Sequence, residues 1–272
     1  MDASMNPAIV VPYKNRPRYL ELLLEHLPRY LEGVNGIAEF TIVIAEQTNG
    51  GLFNVALSRN VGAAFALDQG RYDYFVFHNV DIIPVRNIDY RMPTHNVAWF
   101  LDAGSCKVHR GALLAANGYD PAYVGWGSED TDFYDRLSTV GCDLRLWHET
   151  DESKNALSWN LEMPALTDDQ AQAWSMRYFG LRLPGGPSFL PFRGPDRARP
   201  FAQHDKNDFL NPDQRRKNEE RYQAFHALSG DDKRAQLARS GLENVQLSAV
   251  TVKKREQRLV WLAYDARAAW RS

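Results

Sequence analysis

The chain has 272 residues, 44% hydrophobic and 24% charged, with 32 Lys and Arg against 34 Asp and Glu, for a formal net charge of −2. That length suits one large α/β domain or two small ones, and the near-neutral balance lacks the basic excess of a nucleic-acid binder. Two cysteines, Cys106 and Cys142, exclude a disulfide framework and a four-cysteine metal site, and no apolar run reaches the ~20 residues of a membrane span.

The N-terminus, MDASMNPAIVVPYKNR, has no charged start followed by an apolar stretch, so the expectation is a soluble cytoplasmic protein without a signal peptide. AIVVPYKNRP (8–17) reads as a short strand stopping at Pro12. A helix follows over 17–31, where Leu20, Leu23, Leu24, Leu27 and Leu31 recur at helical spacing, with Pro28 predicting a kink or break near its end. EFTIVIAEQ (39–47) is a second strand and LFNVALSRNVGAAFALDQG (52–70) a helix stopped by Gly70. DYFVFHNVD (73–81) is a third strand. Alternating strands and helices predict a mainly parallel, Rossmann-like α/β sheet with helices on both faces.

Residues 96–120 read as strand, turn and a short helix ending at Gly118, and 124–149 as a glycine-rich loop, a helix stopped by Gly141, and a strand. The Pro, Gly and Arg-rich tract LPGGPSFLPFRGPDRARP (183–200) marks 150–200 as an excursion, and loops of that length inside a domain usually serve function. NPDQRRKNEERYQAFHALS (211–229) is a polar helix with an Asn-Pro start. Two alternating runs around KKREQ within 244–266 predict a closing β-hairpin. The expected organisation is a single domain, with halves over about 1–120 and about 121–272.

Two places invite chemistry. Asp81 interrupts the apolar run YFVFHNVDIIP, where an unpaired carboxylate would be very costly, so it needs a hydrogen-bond donor, a cation or an exposed strand end. Ligands of open α/β sheets bind beyond the carboxyl ends of strands. A carboxylate there, with a downstream imidazole, would suit Mn²⁺ or Mg²⁺ shared with phosphate oxygens. His204 and His148 are rival imidazoles, although either also reads as a surface or strand-end residue. The second place is GWGSEDTDFYD, where Glu129, Asp130, Asp132 and Asp135 crowd a helix start. Helix-dipole capping at ~0.3–1 kcal/mol each explains acids there. It does not explain Trp126 between two glycines, which suits a gate or a sugar platform. YKNRP (13–17) reads either as a solvated turn or as a basic loop that receives phosphate or a nucleotide base.

Five ordered motifs together resemble the β-1,4-galactosyltransferase family of metal-dependent inverting glycosyltransferases with the GT-A fold: VPYKNR (11–16), FNVALSRNVG (53–62), FHNVDIIP (77–84), GWGSED (125–130) and HDKNDFLNP (204–212). The resemblance implies transfer of galactose or N-acetylgalactosamine from a UDP-sugar to a saccharide or glycolipid hydroxyl. The alternatives are another UDP-sugar, UDP-Glc or UDP-GlcNAc, or a catalytically inactive nucleotide-sugar-binding relative. By motif position it implies Asp81 and His204 as ligands of Mn²⁺ (or Mg²⁺), Asp130 as general base, Glu129 as an acceptor contact and Trp126 as the tryptophan of a closing loop with Gly127. Pro12, Lys14 and Arg16 would hold the nucleotide, with Phe53, Asn79, Val80 and Leu101 at the donor. Leu101 falls where the family carries a galactose-favouring tyrosine, and leucine would leave room for an acetamido group. Three departures stand out. Asn79 replaces the first acid of Asp-x-Asp. Phe201 falls where the family has a methionine ligand. About 45 extra residues separate the acidic cluster from His204. Peripheral membrane association is an added expectation for a cytoplasmic enzyme of polysaccharide or glycolipid assembly.

Overall fold

The computed structural model describes residues 5–70, 72–86, 88–92, 97–100, 105–146, 157–160, 189–191 and 211–270. The sheet is built around strand β1 (Pro7–Tyr13). Helix α1 (Pro17–Gly33) leads to β2 (Thr41–Gln47), and α2 (Val55–Gln69) leads to β3 (Tyr74–Phe77). Strand β4 (Ile82–Arg86) leaves this sheet, while β5 (Val97–Phe100) and β6 (Cys106–His109) return to it. Then come α3 (Arg110–Ala115), α4 (Glu129–Thr139), β7 (Asp143–Leu146), β8 (Leu157–Asn160) and β9 (Phe189–Pro191). The chain ends in α5 (Pro212–His226), α6 (Gly230–Leu237), β10 (Val250–Arg255), β11 (Leu259–Tyr264) and α7 (Ala266–Ala269).

Eight strands form one sheet in the order β10-β11-β2-β1-β3-β6-β5-β7, and β4-β8-β9 form a second. Strands β11, β2, β1 and β3 run parallel, and β6 is antiparallel to both of its neighbours. The last hairpin therefore joins the first strands, so both ends of the described chain share one sheet.

Strand alternation divides the core. Ile9, Val11, Ile42, Ile44 and Val76 face Leu20, Leu23, Leu27 and Leu31 of α1, while Ala8, Val10, Val43, Phe75 and Phe77 face α2. Helix α2 lies tight on β1 because Gly62 has no side chain. A Cβ there would sit 2.4 Å from a Val10 methyl.

Four local expectations are corrected. First, β1 does not stop at Pro12. It runs to Tyr13, with Pro12 paired to Ala45 of β2. The β3 ladder has already ended at Val10–Phe77, with the His78 N–H on the Val10 carbonyl, so the alternation of the ladder leaves no β3 partner for the N–H that Pro12 lacks. Second, α1 does not end at Leu31 but continues to Gly33, running through Pro28 without a break. The turn after Pro28 buries Tyr30 and Leu31, and the Tyr30 hydroxyl accepts from the Ile88 N–H at 2.7 Å, so packing overrides the local breaker. Third, the strand read over 73–81 ends at Phe77. Residues 79–81 turn, and the chain enters the second sheet at Ile82. The hairpin turn also lies later than KKREQ suggested, because Lys253, Lys254 and Arg255 belong to β10.

Candidate active site

The site lies where the carboxyl ends of β1, β2 and β3 meet the start of α4. Helix α2 stitches the two sides together with its polar residues. Asn54 caps the helix by accepting from the Leu57 N–H at 2.8 Å and also donates to the Pro121 carbonyl at 2.7 Å. Asn60 makes two bonds to the Tyr119 backbone, at 2.8 and 2.9 Å. Phe53 is buried, and its carbonyl accepts from the Gly125 N–H at 2.8 Å. The FNVALSRNVG and GWGSED motifs are thus joined by direct hydrogen bonds.

Arg59 is the centre of this arrangement. Its side chain is 1% exposed, and its guanidinium pairs with Asp130 through Nη1 and donates from Nη2 to Asn79 Oδ1 at 3.1 Å. The Tyr119 ring lies 4.7 Å from the guanidinium carbon and adds a cation–π contact. Burial works against the charge on Arg59, but Asp130, Tyr119 and Glu129 together outweigh it and hold the guanidinium protonated beyond its ordinary range. One side chain therefore connects the 79–81 turn to the first turn of α4. It is the only charged residue between Val55 and Leu67, and that isolation is the sequence signal by which it could have been singled out.

The loop before α4 is held in an unusual backbone. Gly125, Gly127 and Ser128 have φ values of 71°, 117° and 69°. The left-handed turn requires glycine at two of these positions and delivers Glu129, Asp130 and Asp132 to the first turn of the helix. Glu129 is buried and accepts from the Gly127 N–H at 3.2 Å, so its carboxylate closes the loop onto the helix. Burial, reinforced by the Asp130 charge, pushes its carboxyl up to about 7 against the opposing pull of Arg59. The Asp130 side chain is 43% exposed, which leaves it reachable from solvent. The Trp126 ring is half-buried and lies under Arg215 of α5, with 4.3 Å between ring centre and guanidinium carbon. Asn218 donates to the Val124 carbonyl at 3.0 Å, and Ser128 Oγ to Glu219 at 3.2 Å, so α5 braces the whole loop.

The expected nucleotide side is more varied. Pro12 is buried in β1, and Lys14 is buried with its ammonium donating to the Gly51 carbonyl, tying the loops after β1 and β2 together. Arg16 is half-buried at the start of α1. The Val80 side chain is 3% exposed and belongs to the core on the α1 side. Asp81 is half-buried in the turn between β3 and β4, two residues beyond the asparagine that Arg59 holds. A hard oxygen donor at this position fits Mn²⁺ or Mg²⁺ in kind. The neighbouring His78 does not fit as a ligand. It is fully buried, its ring nitrogens contact the Asn79 carbonyl and the Tyr90 hydroxyl at 2.8 Å, and burial lowers its pKa to about 4. Among the described residues no three His, Cys, Asp or Glu side chains cluster as a metal site. His204, His148, Leu101 and Phe201 lie outside the described residues, as does most of the 150–200 excursion.

Residues 2–92 match the N-terminal region of glycosyl transferase group 7, and residues 103–156 match the N-terminal domain of galactosyltransferase, together more than half of the chain. The chain belongs to the β-1,4-galactosyltransferase family. It is 34% identical over 142 residues to mouse β-1,4-galactosyltransferase 4, covering 46% of this chain and 40% of the relative. Against the human form it is 29% identical over 195 residues, covering 61% and 55%. A Lymnaea stagnalis β-N-acetyl-D-glucosaminide β-1,4-N-acetylglucosaminyl-transferase is 37% identical over 146 residues, covering 47% and 29%. The chain thus spans about half the length, or less, of the curated relatives it matches. In fold it is similar to the catalytic domain of Drosophila β-1,4-galactosyltransferase 7, solved with xylobiose, at a TM-score of 0.61 and 19% identity over 96% of this chain and 94% of that one. A mutant of the same enzyme, solved with manganese, UDP-Gal and xylobiose, gives 0.58 and 20% over the same shares. The fold is the expected GT-A α/β fold, with a mixed sheet flanked by helices.

Proposed function

We propose that this chain transfers galactose or N-acetylgalactosamine from a UDP-sugar to a saccharide hydroxyl, with inversion at the anomeric carbon. The observation that carries the reading is the Arg59 bridge, which brings the Asn79–Asp81 turn and Asp130 to one guanidinium. In the reaction the acceptor oxygen bonds to the anomeric carbon as the bond to the diphosphate oxygen breaks. The bonding pair leaves with UDP, and Asp130 takes the acceptor proton on the face opposite the leaving group. Bound Mn²⁺ would neutralise charge developing on the diphosphate. Asp81 would hold it, with His204 as the second ligand that the motif order implies. Trp126, braced by Arg215, would keep water from competing as the nucleophile.

The Lymnaea relative favours a second reading, in which UDP-GlcNAc is the donor. Leu101 remains the residue proposed to open the donor pocket to an acetamido group. The acceptor class, saccharide or glycolipid, is drawn from the family. A cytoplasmic location belongs to the same proposal, since Cys106 and Cys142 are both buried and unbridged, as suits a reducing compartment. Among the described residues no helix is long and apolar enough to cross a membrane. The test is transfer profiling over UDP-Gal, UDP-GalNAc, UDP-Glc and UDP-GlcNAc with Mn²⁺ and with EDTA. Transfer from UDP-Gal or UDP-GalNAc that EDTA removes and Mn²⁺ restores is expected. Transfer indifferent to EDTA contradicts the metal role, and no transfer from any donor contradicts the function.

A further inference from the structure

We propose that Arg59 is the positioning residue for Asp130, and that the neutral amide of Asn79 keeps the guanidinium's charge committed to that carboxylate. This rests on the function proposed above and adds a residue that no family motif assigns to the reaction. Burying a guanidinium costs several kcal/mol unless it is well paired. Here the whole side chain is enclosed while its partner is 43% exposed. A rigid buried cation thus holds one oxygen of an acid that reaches solvent. The contact is to Oδ1, and among the described residues Arg59 is the only hydrogen-bond partner of the Asp130 side chain. Anchoring one oxygen on a buried guanidinium narrows the directions open to the other, which a base aimed at an acceptor hydroxyl requires.

Asn79 completes the device. It accepts from Nη2 at 3.1 Å, so the fork is spread between the 79–81 turn and the start of α4. Aspartate at 79 would place a second carboxylate on the same cation and share its charge. Asparagine supplies the same acceptor atom without that competition. The two residues form a matched pair, and their effects on turnover are coupled.

The test measures kcat, the donor KM and calorimetric UDP affinity at saturating Mn²⁺. The variants are Arg59→Met, Arg59→Lys, Asn79→Asp and the double variant Arg59→Met/Asn79→Asp, with melting curves to establish folding. Arg59→Met should lower kcat by about 10- to 10²-fold, the scale of a displaced catalytic group, with UDP affinity unchanged. Arg59→Lys should recover part of the loss, and it serves as the readout if the methionine variant does not fold. Asn79→Asp should change kcat when Arg59 is present and have no further effect beside Arg59→Met. The positioning role is overturned if folded Arg59→Met turns over normally, if UDP affinity falls along with kcat, or if Asn79→Asp acts equally in both backgrounds. A wild-type chain that transfers no sugar would contradict the proposed function itself. Normal turnover in the arginine variants beside an active wild type would overturn the positioning role alone.

Discussion

The strands of the first half and the helices of the second are held by different physics. Around α1, β1 and β2 the contacts are apolar, with Leu23, Leu27, Leu31, Ile42 and Ile44 all essentially without exposure. Around α4 three of the five buried helix residues, Glu129, Asp132 and Arg136, are ionisable. Arg136 is 1% exposed and donates to the Gly118 carbonyl at 2.8 Å and the Ser240 carbonyl at 2.7 Å. Asp132, equally buried, accepts from the Tyr123 hydroxyl at 3.1 Å. Apolar packing tolerates exchange of one shape for another, whereas a buried ion needs its partners in place. The first region is built for stability and the second for fixed geometry.

Four substitutions sharpen that contrast. On the metal role proposed above, Asp81→Ala should remove Mn²⁺-stimulated transfer altogether while thermal melts show that the variant still folds. Full activity in this variant would end the metal assignment. Leu23→Ala should cost ~2–5 kcal/mol of stability and leave kcat of the folded fraction alone, as chemical denaturation paired with initial rates can show. A fall in its kcat would mean that the two regions are not separate. Arg215→Ala removes a cation–π contact worth ~0.5–1 kcal/mol. The ratio of UDP-sugar hydrolysis to transfer should then rise about 2- to 5-fold, and an unchanged ratio would detach Trp126 from water exclusion. The smallest effect is on pH. Burial pushes the Asp132 carboxyl up to about 7, with Arg136 opposing. A folded-state pKa raised in this way contributes stability below the ordinary carboxylate range, and that contribution is lost as pH rises through about 7. Glu129 shifts in the same direction. Thermal melts of Asp132→Asn should show a shallower decline from about pH 4 to 7 than wild type, and an identical slope would contradict the assignment.

The apolar half is the part that sequence reveals well. Leucine spacing gives α1, β-branched runs give β1 and β2, and Gly70 caps α2 in the left-handed conformation as its position suggests. Reading fails where a long-range partner decides. Pro28 reads as a kink or break, yet Tyr30 has a distant partner in the Ile88 N–H that holds the helix together beyond it. The run through Asp81 reads as one strand, yet β4 pairs with β8, more than seventy residues later. The polar half is legible as motifs and not as contacts. GWGSED marks the loop, but nothing in its own residues says that Arg215 and Asn218 brace it. Asn79 reads as a lost acid until Arg59 is seen beside it.

The most direct test of the account is Asp130→Asn, which keeps the shape of the side chain and an oxygen for Arg59 but cannot accept a proton. Initial transfer rates and calorimetric UDP affinity should be measured on the same preparation. The account predicts turnover lowered by at least ~10²-fold, the usual loss of a general base, with UDP affinity retained. Near-normal turnover would show that the acceptor proton goes elsewhere and that the Arg59 bridge does not organise the base.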